Sequence, residues 1–328
     1  MALIYTNEQL VEQGYLSGVS MDFQEEDTEN DFTLTMGLDD FSKLSKGCYV
    51  YDENNPNFGG RIQKVRIQTA QNSLIWEGLT FAGILGTKII EPPPAEAYRY
   101  LTGDLETKVN QVLRITGLSE IFYTRAEGGN TDDWKVDRYT DALSAVRKLA
   151  AENGLVMVVS FDKYVKKLKI SFTTARPVTA GDEYDSELFA FDITKDLMPV
   201  NHLICLGRGQ LEDRWVYHLY ANANGVISET QTMTGTKEIM AVYDYSSVES
   251  YEELQKEGLK HFKEILDSGT KLEITPPEEA VFHIGDTIAG YEQISGIYVE
   301  KKVKKIIYKA QDDLPPTINY ETTDAKGR

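Results

Sequence analysis

Over the first ninety residues, apolar side chains recur at every second position in short runs separated by turn-forming residues. FTLTM from Phe32 places Phe32, Leu34 and Met36 on one face. CYVY from Cys48 is apolar and aromatic, RIQKVRIQT from Arg61 alternates Val65 and Ile67 with polar neighbours, and LIWEG from Leu74 completes the set. A period of two is that of a strand with one buried face. DENNPNFGG from Asp52 supplies the Asn, Pro and paired Gly of a tight reversal. Short strands with one solvated face leave open edges, so residues 1–94 are predicted to close into a small barrel or sandwich. Pro92 to Pro94 lack amide donors and have fixed φ, which makes them a stiff exit from that domain.

The period then changes. DLETKVNQVLRIT aligns Leu105, Val109, Val112 and Thr116 on one helical stripe, with Thr102 or Asp104 as its cap. A second helix is predicted from near Thr140, with Leu143, Val146, Leu149 and Ala150 inward and Asn153 and Gly154 as its stop. LVMVVSF from Leu155 and KLKISF from Lys167 read as a hairpin, so residues 95–190 form an α+β domain. No GxGxxG follows a strand, which excludes a dinucleotide-binding βαβ unit.

Strands return over residues 191–328. They include NHLICLG from Asn201, RWVYHLYA from Arg214 and EIMAVYDY from Glu238. The second sets Trp215, Tyr217 and Leu219 on one face and Val216, His218 and Tyr220 on the other. SYEELQKEGLKHFKEIL is the clearest helix, spanning about 250–267. Ser250 and Glu253 make a capping box, Leu254, Gly258, Phe262 and Ile265 form a stripe, and Gly258 within that stripe predicts the close approach of another backbone. FHIGDTIAG, GIYVEKKVKKIIYKA and DLPPTINYETTDAKGR are read as further strands ending in a frayed tail.

Charge narrows the function. There are 34 basic against 52 acidic residues, a formal charge of −18, and such a field repels nucleic acid. The start, MALIYTNEQL, lacks the basic and apolar regions of a signal peptide, and no apolar run is long enough to span a membrane, so folding in a cytoplasm is expected. Cys48 and Cys205 lie in apolar strand-like runs and are read as buried free thiols.

Chemistry-bearing patterns are sparse. His202, His218, His261 and His283 fall in four separate elements without zinc-site spacing, and His202 and Cys205, three apart on a strand, face opposite ways. Asp132 and Asp133 beside Trp134 would be the best glycosidase-like group, because an aromatic ring could stack on a sugar. An exposed loop with the ring packed back onto the domain is the simpler reading and is preferred. Gly207 to Gly209 are too few to cradle a phosphate. The acidic run Gln24 to Asp31 reads as a solvated loop without the spacing of a calcium loop. Lys301, Lys302, Lys304, Lys305 and Lys309 read as a solvated strand, or as partners for an acidic neighbouring chain. Hence no catalytic, cofactor-binding or metal-binding residue is predicted, and no enzyme. The competing readings are a peptidoglycan- or polysaccharide-degrading protein and a receptor-binding adhesin with exposed aromatics.

The stretch from Gly47 to Pro94 resembles the Gp37-like tail hub, or baseplate hub, proteins of siphophages and prophages. Gly47 leads into an aromatic strand, Gly59 and Gly60 open the next, Trp76 and Gly78 precede a small-residue segment, and Ile89, Ile90, Pro92 and Pro93 end it. Asn201 and Gly207 resemble the family's Asn-to-Gly strand, and the helix near Ser250, HIGDTIAG and PPTINYE resemble its C-terminal half. The resemblance implies an α+β multidomain hub fold with two small β-barrels and an α+β domain, Trp76 and Ile89 to Ile90 completing the first barrel. It also implies a homotrimeric ring at the virion tail tip or baseplate, assembled in the host bacterial cytoplasm. Such a ring would join the sixfold tail tube or distal tail protein to a threefold tip, needle or fibre, around the channel used by the tape measure protein and DNA. Loops near Glu25, Glu26 and Asp27 would then face solvent or that channel. The chain stops soon after Tyr320, so no lysin or peptidase extension is expected.

Overall fold

Phe32, Leu34 and Met36 are buried and their neighbours Thr33 and Asp31 are exposed, as the alternation requires. Their strand, Asn30–Gly37, lies inside a large antiparallel sheet in a computed structural model that describes residues 3–26, 29–174, 184–185, 190–275, 281–292, 297–312 and 314–324. Contacts divide the chain into two units, one built on Met1–Ala190 with Ile274–Ala325, the other on Phe191–Glu273.

In the first unit the sheet order is Thr317–Asp324, Ile297–Gln311, Ser20–Glu25, Asn30–Gly37, Ser73–Thr80, Gly59–Gln68, Tyr49–Asp52, Leu3–Thr6 and Glu12–Leu16. The expected pair of small β-barrels is absent, because no sheet closes on itself among the described residues. The first ninety residues were expected to close because they seemed to own both edges of their sheet. Instead Ser20–Glu25 hydrogen-bonds to Ile297–Gln311, nearly three hundred residues away in sequence, so a distant strand satisfies the edge that closure would have removed.

The same pairing corrects the reading of the lysine-rich strand. Ile297–Gln311 lies between Ser20–Glu25 on one side and Thr317–Asp324 on the other. It is an interior strand: Lys301 is buried, and Tyr308 is buried with its hydroxyl donating to the carboxylate of buried Asp52. Desolvation, followed by that hydrogen bond and the Asp52 charge, holds the Tyr308 phenol well above its usual range. Lys305 lies 3.9 Å from both Glu26 and Glu29, and Lys309 lies 3.5 Å from Asp22, so acids of the same chain partner both.

Ile89–Ile90 does not extend the large sheet, contrary to expectation. It pairs with Thr140–Asp141 immediately before the second helix. The helices Leu105–Ile115 and Ala142–Glu152 begin at Asp104 and Asp141, whose carboxylates accept from the Thr107 and Ser144 amides. Each satisfies an amide the first turn would leave bare. Their inner residues, including Val109, Val112, Val146 and Leu149, join Phe81, Leu85 and Tyr51 in one core. The hairpin of Leu155–Asp162 and Lys167–Thr174 forms as read, and Phe122–Thr124 pairs in parallel with its second strand.

The second unit is a sheet in the order Ile227–Ser228, Val216–Ala221, His202–Leu206, Met240–Asp244, with the helix Tyr251–Ser268 on one face. Ser250 accepts from the Glu253 amide, and a Glu253 carboxylate oxygen accepts from the Glu249 amide, fixing the helix start. Leu254 and Phe262 pack on Leu203, Cys205, Leu219 and Ala221. A Cβ on Gly258 would lie 2.5 Å from Cys205 Sγ, so the glycine makes room for a side chain of the sheet and not for the backbone that the stripe predicted. The frayed tail expected from Ala325 onward lies outside the described residues.

Candidate functional site

The residues most open to a catalytic reading are engaged structurally. Trp134 donates from its indole nitrogen to Glu152 Oε2 at 2.6 Å and packs against the core, so the ring is not free to stack on a sugar, while Asp132 and Asp133 are exposed. Glu25 pairs with Arg147 at 2.9 Å, and Glu26 is only 8% exposed. Burial pushes the Glu26 carboxyl above its usual range, against the opposing pull of Lys305. Glu25 and Glu26 are therefore not part of a solvated acidic loop, because strand pairing carries them into the unit. Asp27 lies outside the described residues.

Cys48 and Cys205 are free and buried, and burial pushes the Cys205 thiol up to about 11. A thiol held protonated in this way is a poor nucleophile. Among the described residues no group of three or more His, Cys, Asp or Glu is arranged to hold a metal ion. The concavities are open grooves. One of 390 Å³ is lined by Ser20, Asp22, Thr33, Thr35 and Lys309 among others. Another of 260 Å³ lies between Tyr51, Pro56, Phe161 and Lys169. No serine, threonine or cysteine lining either groove has a described hydrogen bond to a histidine or carboxylate.

Sequence spacing did miss one cluster. His202 and His218 sit on adjacent strands, with His202 opposite Tyr220 and Ile204 opposite His218, so the two imidazoles meet diagonally on one face. His202 Nδ1 lies 2.6 Å from Glu238 Oε1, and its Nε2 lies 2.8 Å from His218 Nδ1. A carboxylate only accepts, so in the neutral pair His202 carries its hydrogen on Nδ1 and receives one from His218 at Nε2. Gln231 donates to the same Glu238 oxygen, and the Tyr220 ring lies 4.3 Å from that of His202. The usable signal was the two-residue period of RWVYHLYA, which put His218 and Tyr220 on one face. The register that brings His202 to them is set by pairing.

These histidines lie on the side of the second unit's sheet away from its helix. There Val216 is 42%, Met240 53% and Val242 61% exposed, beside partly buried Ile204 and Tyr220. The exposed apolar side chains gathered on this sheet face make it the site in the described structure best suited to contact another macromolecule.

The glycines that carried the family resemblance have a structural role. A Cβ on Gly60 or Gly78 would fall 2.4 or 2.7 Å from the Phe32 ring, and one on Gly59 would fall 2.7 Å from Phe81. Asn201 accepts from the Ile239 amide and donates to the Lys237 carbonyl, and a Cβ on Gly207 would meet Leu254 at 2.8 Å. Positions of this kind specify packing, and packing can be shared by chains with little sequence in common.

Comparison bears this out at the level of fold. No family model matches the sequence. No curated protein is similar to it in sequence. Among solved structures it is similar to a tail protein from Neisseria meningitidis MC58, with a TM-score of 0.50 at 15% identity over 99% of this chain and 96% of that one. It is also similar to the 43 kDa tail protein of prophage MuSo2 from Shewanella oneidensis, with a TM-score of 0.53 at 10% identity over 98% and 97%. The chain shares the fold of these tail proteins. The likeness covers nearly the full length of both partners at this low identity.

Proposed function

We propose that the chain is a non-enzymatic structural component of a phage or prophage tail, and within it the hub of the tail tip or baseplate. The observation that carries this reading is the near end-to-end fold similarity to two tail proteins. The buried or engaged state of the chemistry-bearing residues agrees with it. The finer assignment draws on the resemblance of Gly47 to Pro94 to Gp37-like hubs. Three copies form a ring between the tail tube or distal tail protein and the tip, needle or fibre, around the path of the tape measure protein and DNA. A ring of three carries three times the −18 formal charge of one chain, and an acidic wall repels the backbone of passing DNA instead of retaining it. Assembly from chains folded in the host cytoplasm places the product at the virion tail.

Electron cryo-microscopy of assembled particles tests both levels. Density for this chain at the tail tip in three copies is the expected result. Density on the head or along the tube would overturn the tail-tip role, and another copy number at the tip would overturn the trimer alone.

A further inference from the structure

Among the described residues the Met240–Asp244 strand is the last strand of its sheet, bonded in parallel only to His202–Leu206. The Ile239 carbonyl accepts from Asn201 and His202, and the Tyr245 amide donates to Leu206, so residues 239 and 245 turn their backbone groups inward. Backbone direction alternates along a strand, which aims the amides and carbonyls of Met240, Val242 and Asp244 at the open edge. Edge strands of natural proteins are blunted by lysine, proline or bulges. The sequence MAVYD carries none of the first two, and its register with His202–Leu206 is unbroken.

The two faces beside this edge differ. On one lie exposed Met240 and Val242. On the other, Tyr243 stacks on His261 of the helix at 4.3 Å, and the helix carries Glu253, Glu257 and Glu264 along the same side, with Lys260 4.0 Å from Glu257 and His261 3.7 Å from Glu264. Burial and then the charges of Glu257 and Glu264 raise the Tyr243 phenol, while Glu253 foremost raises that of Tyr245. A carboxylate stripe therefore flanks the edge on the helix side, and an apolar surface flanks it on the other.

We propose that the open edge of Met240–Asp244 takes up an extended segment of a partner protein in which lysine or arginine alternates with aliphatic residues. Added as a further strand, such a segment turns its cations toward Glu257 and Glu264 and its aliphatic side chains toward Met240 and Val242. A second copy pairing edge to edge would instead bring two carboxylate stripes together, and like charges across a strand pair are destabilising. The inference stands on this edge alone and does not depend on the tail-hub reading.

Hydrogen exchange on the full chain tests it, using a short synthetic peptide of alternating lysine and valine. A peptide of the same composition with the lysines and valines in separate blocks serves as the control. The amides of Met240, Val242 and Asp244 should exchange freely in the dilute chain and slow by about tenfold or more with the alternating peptide. Val242→Pro removes an outward amide without touching the bonds to His202–Leu206, so it should abolish that protection at unchanged circular dichroism. Should that variant not fold, the double change Glu257→Gln and Glu264→Gln should weaken binding about tenfold by itself. No binding of the alternating peptide, equal binding of the block peptide, or protection that survives these substitutions would overturn the proposal. So would protection of the three amides without peptide, which at rising protein concentration would assign the edge to a second copy.

Discussion

The two units place sheets in opposite circumstances. In the first, Ser20–Glu25 and Ile297–Gln311 each have a strand on both sides, and Phe23, Leu34, Trp76 and Tyr308 meet in a core. In the second, a single helix covers one face, while Val216, Met240 and Val242 remain in solvent on the other. Among the described residues both sheets are open in topology, and the second sets exposed Met240 and Val242 on its edge strand. Stability therefore does not account for the second unit's outer face, whereas it accounts for the core of the large sheet, where Val65, Ile67 and Tyr15 are the exposed exceptions.

The sharpest way to break the contrast is at the helix. Phe262→Ala removes the fully buried ring that joins helix to sheet and should destabilise the second unit by about 3–5 kcal/mol. A urea titration should show one transition moving to lower concentration while that of the first unit stays in place. Equal displacement of both would mean that the units unfold as one.

In the first unit the matching lesion is Gly60→Ala. Its Cβ would sit 2.2 Å from the Leu79 carbonyl oxygen, which is backbone and cannot swing away, so a loss of about 3 kcal/mol is expected. The same titration reads it, now on the other transition.

Ser250→Ala, which removes the helix cap, should lower the second unit's stability by about 1 kcal/mol in the same titration. Alkali acts on both units. Burial, with the hydrogen bonds and charges of Asp162 and Glu229, pushes Tyr123 and Tyr217 up to about 12 from an ordinary 10.0. Both phenols keep their protons to higher pH when folded, so their contribution is complete below pH 10 and is lost as pH rises toward 12. Tyr217→Phe should flatten that decline in the second unit only, as followed by denaturation at stepped pH.

The smallest effect sharpens the comparison most. Val242→Thr on the outer face should change stability by no more than about 0.5 kcal/mol, because its side chain is already in water. A cost near that of a core residue would show that the face is covered in the free protein.

Much of the local structure was legible because it is local. Asp104 before an apolar period of 3.6 starts a helix wherever it occurs, and Ser250 with Glu253 does so again. Phe32, Leu34 and Met36 announced a buried face, while Gly258 marked a tight contact whose partner proved to be the Cys205 side chain and not a backbone. The lysine strand misled because its alternation resembles that of a solvated strand, and only its two neighbours show it to be interior.

By itself, then, the sequence determined which residues form helices and strands, where several helices begin, and which faces are apolar. Those properties follow from backbone sterics, capping and side-chain period within a few residues. Tertiary structure alone decided that Ser20–Glu25 finds its partner at Ile297–Gln311, that the sheet stays open, and that His202 meets His218 while Met240–Asp244 is left at an edge. Strand pairing is made by backbone groups that every residue carries, so its choice of partner is written in the packing of the whole chain and not in any short stretch of it.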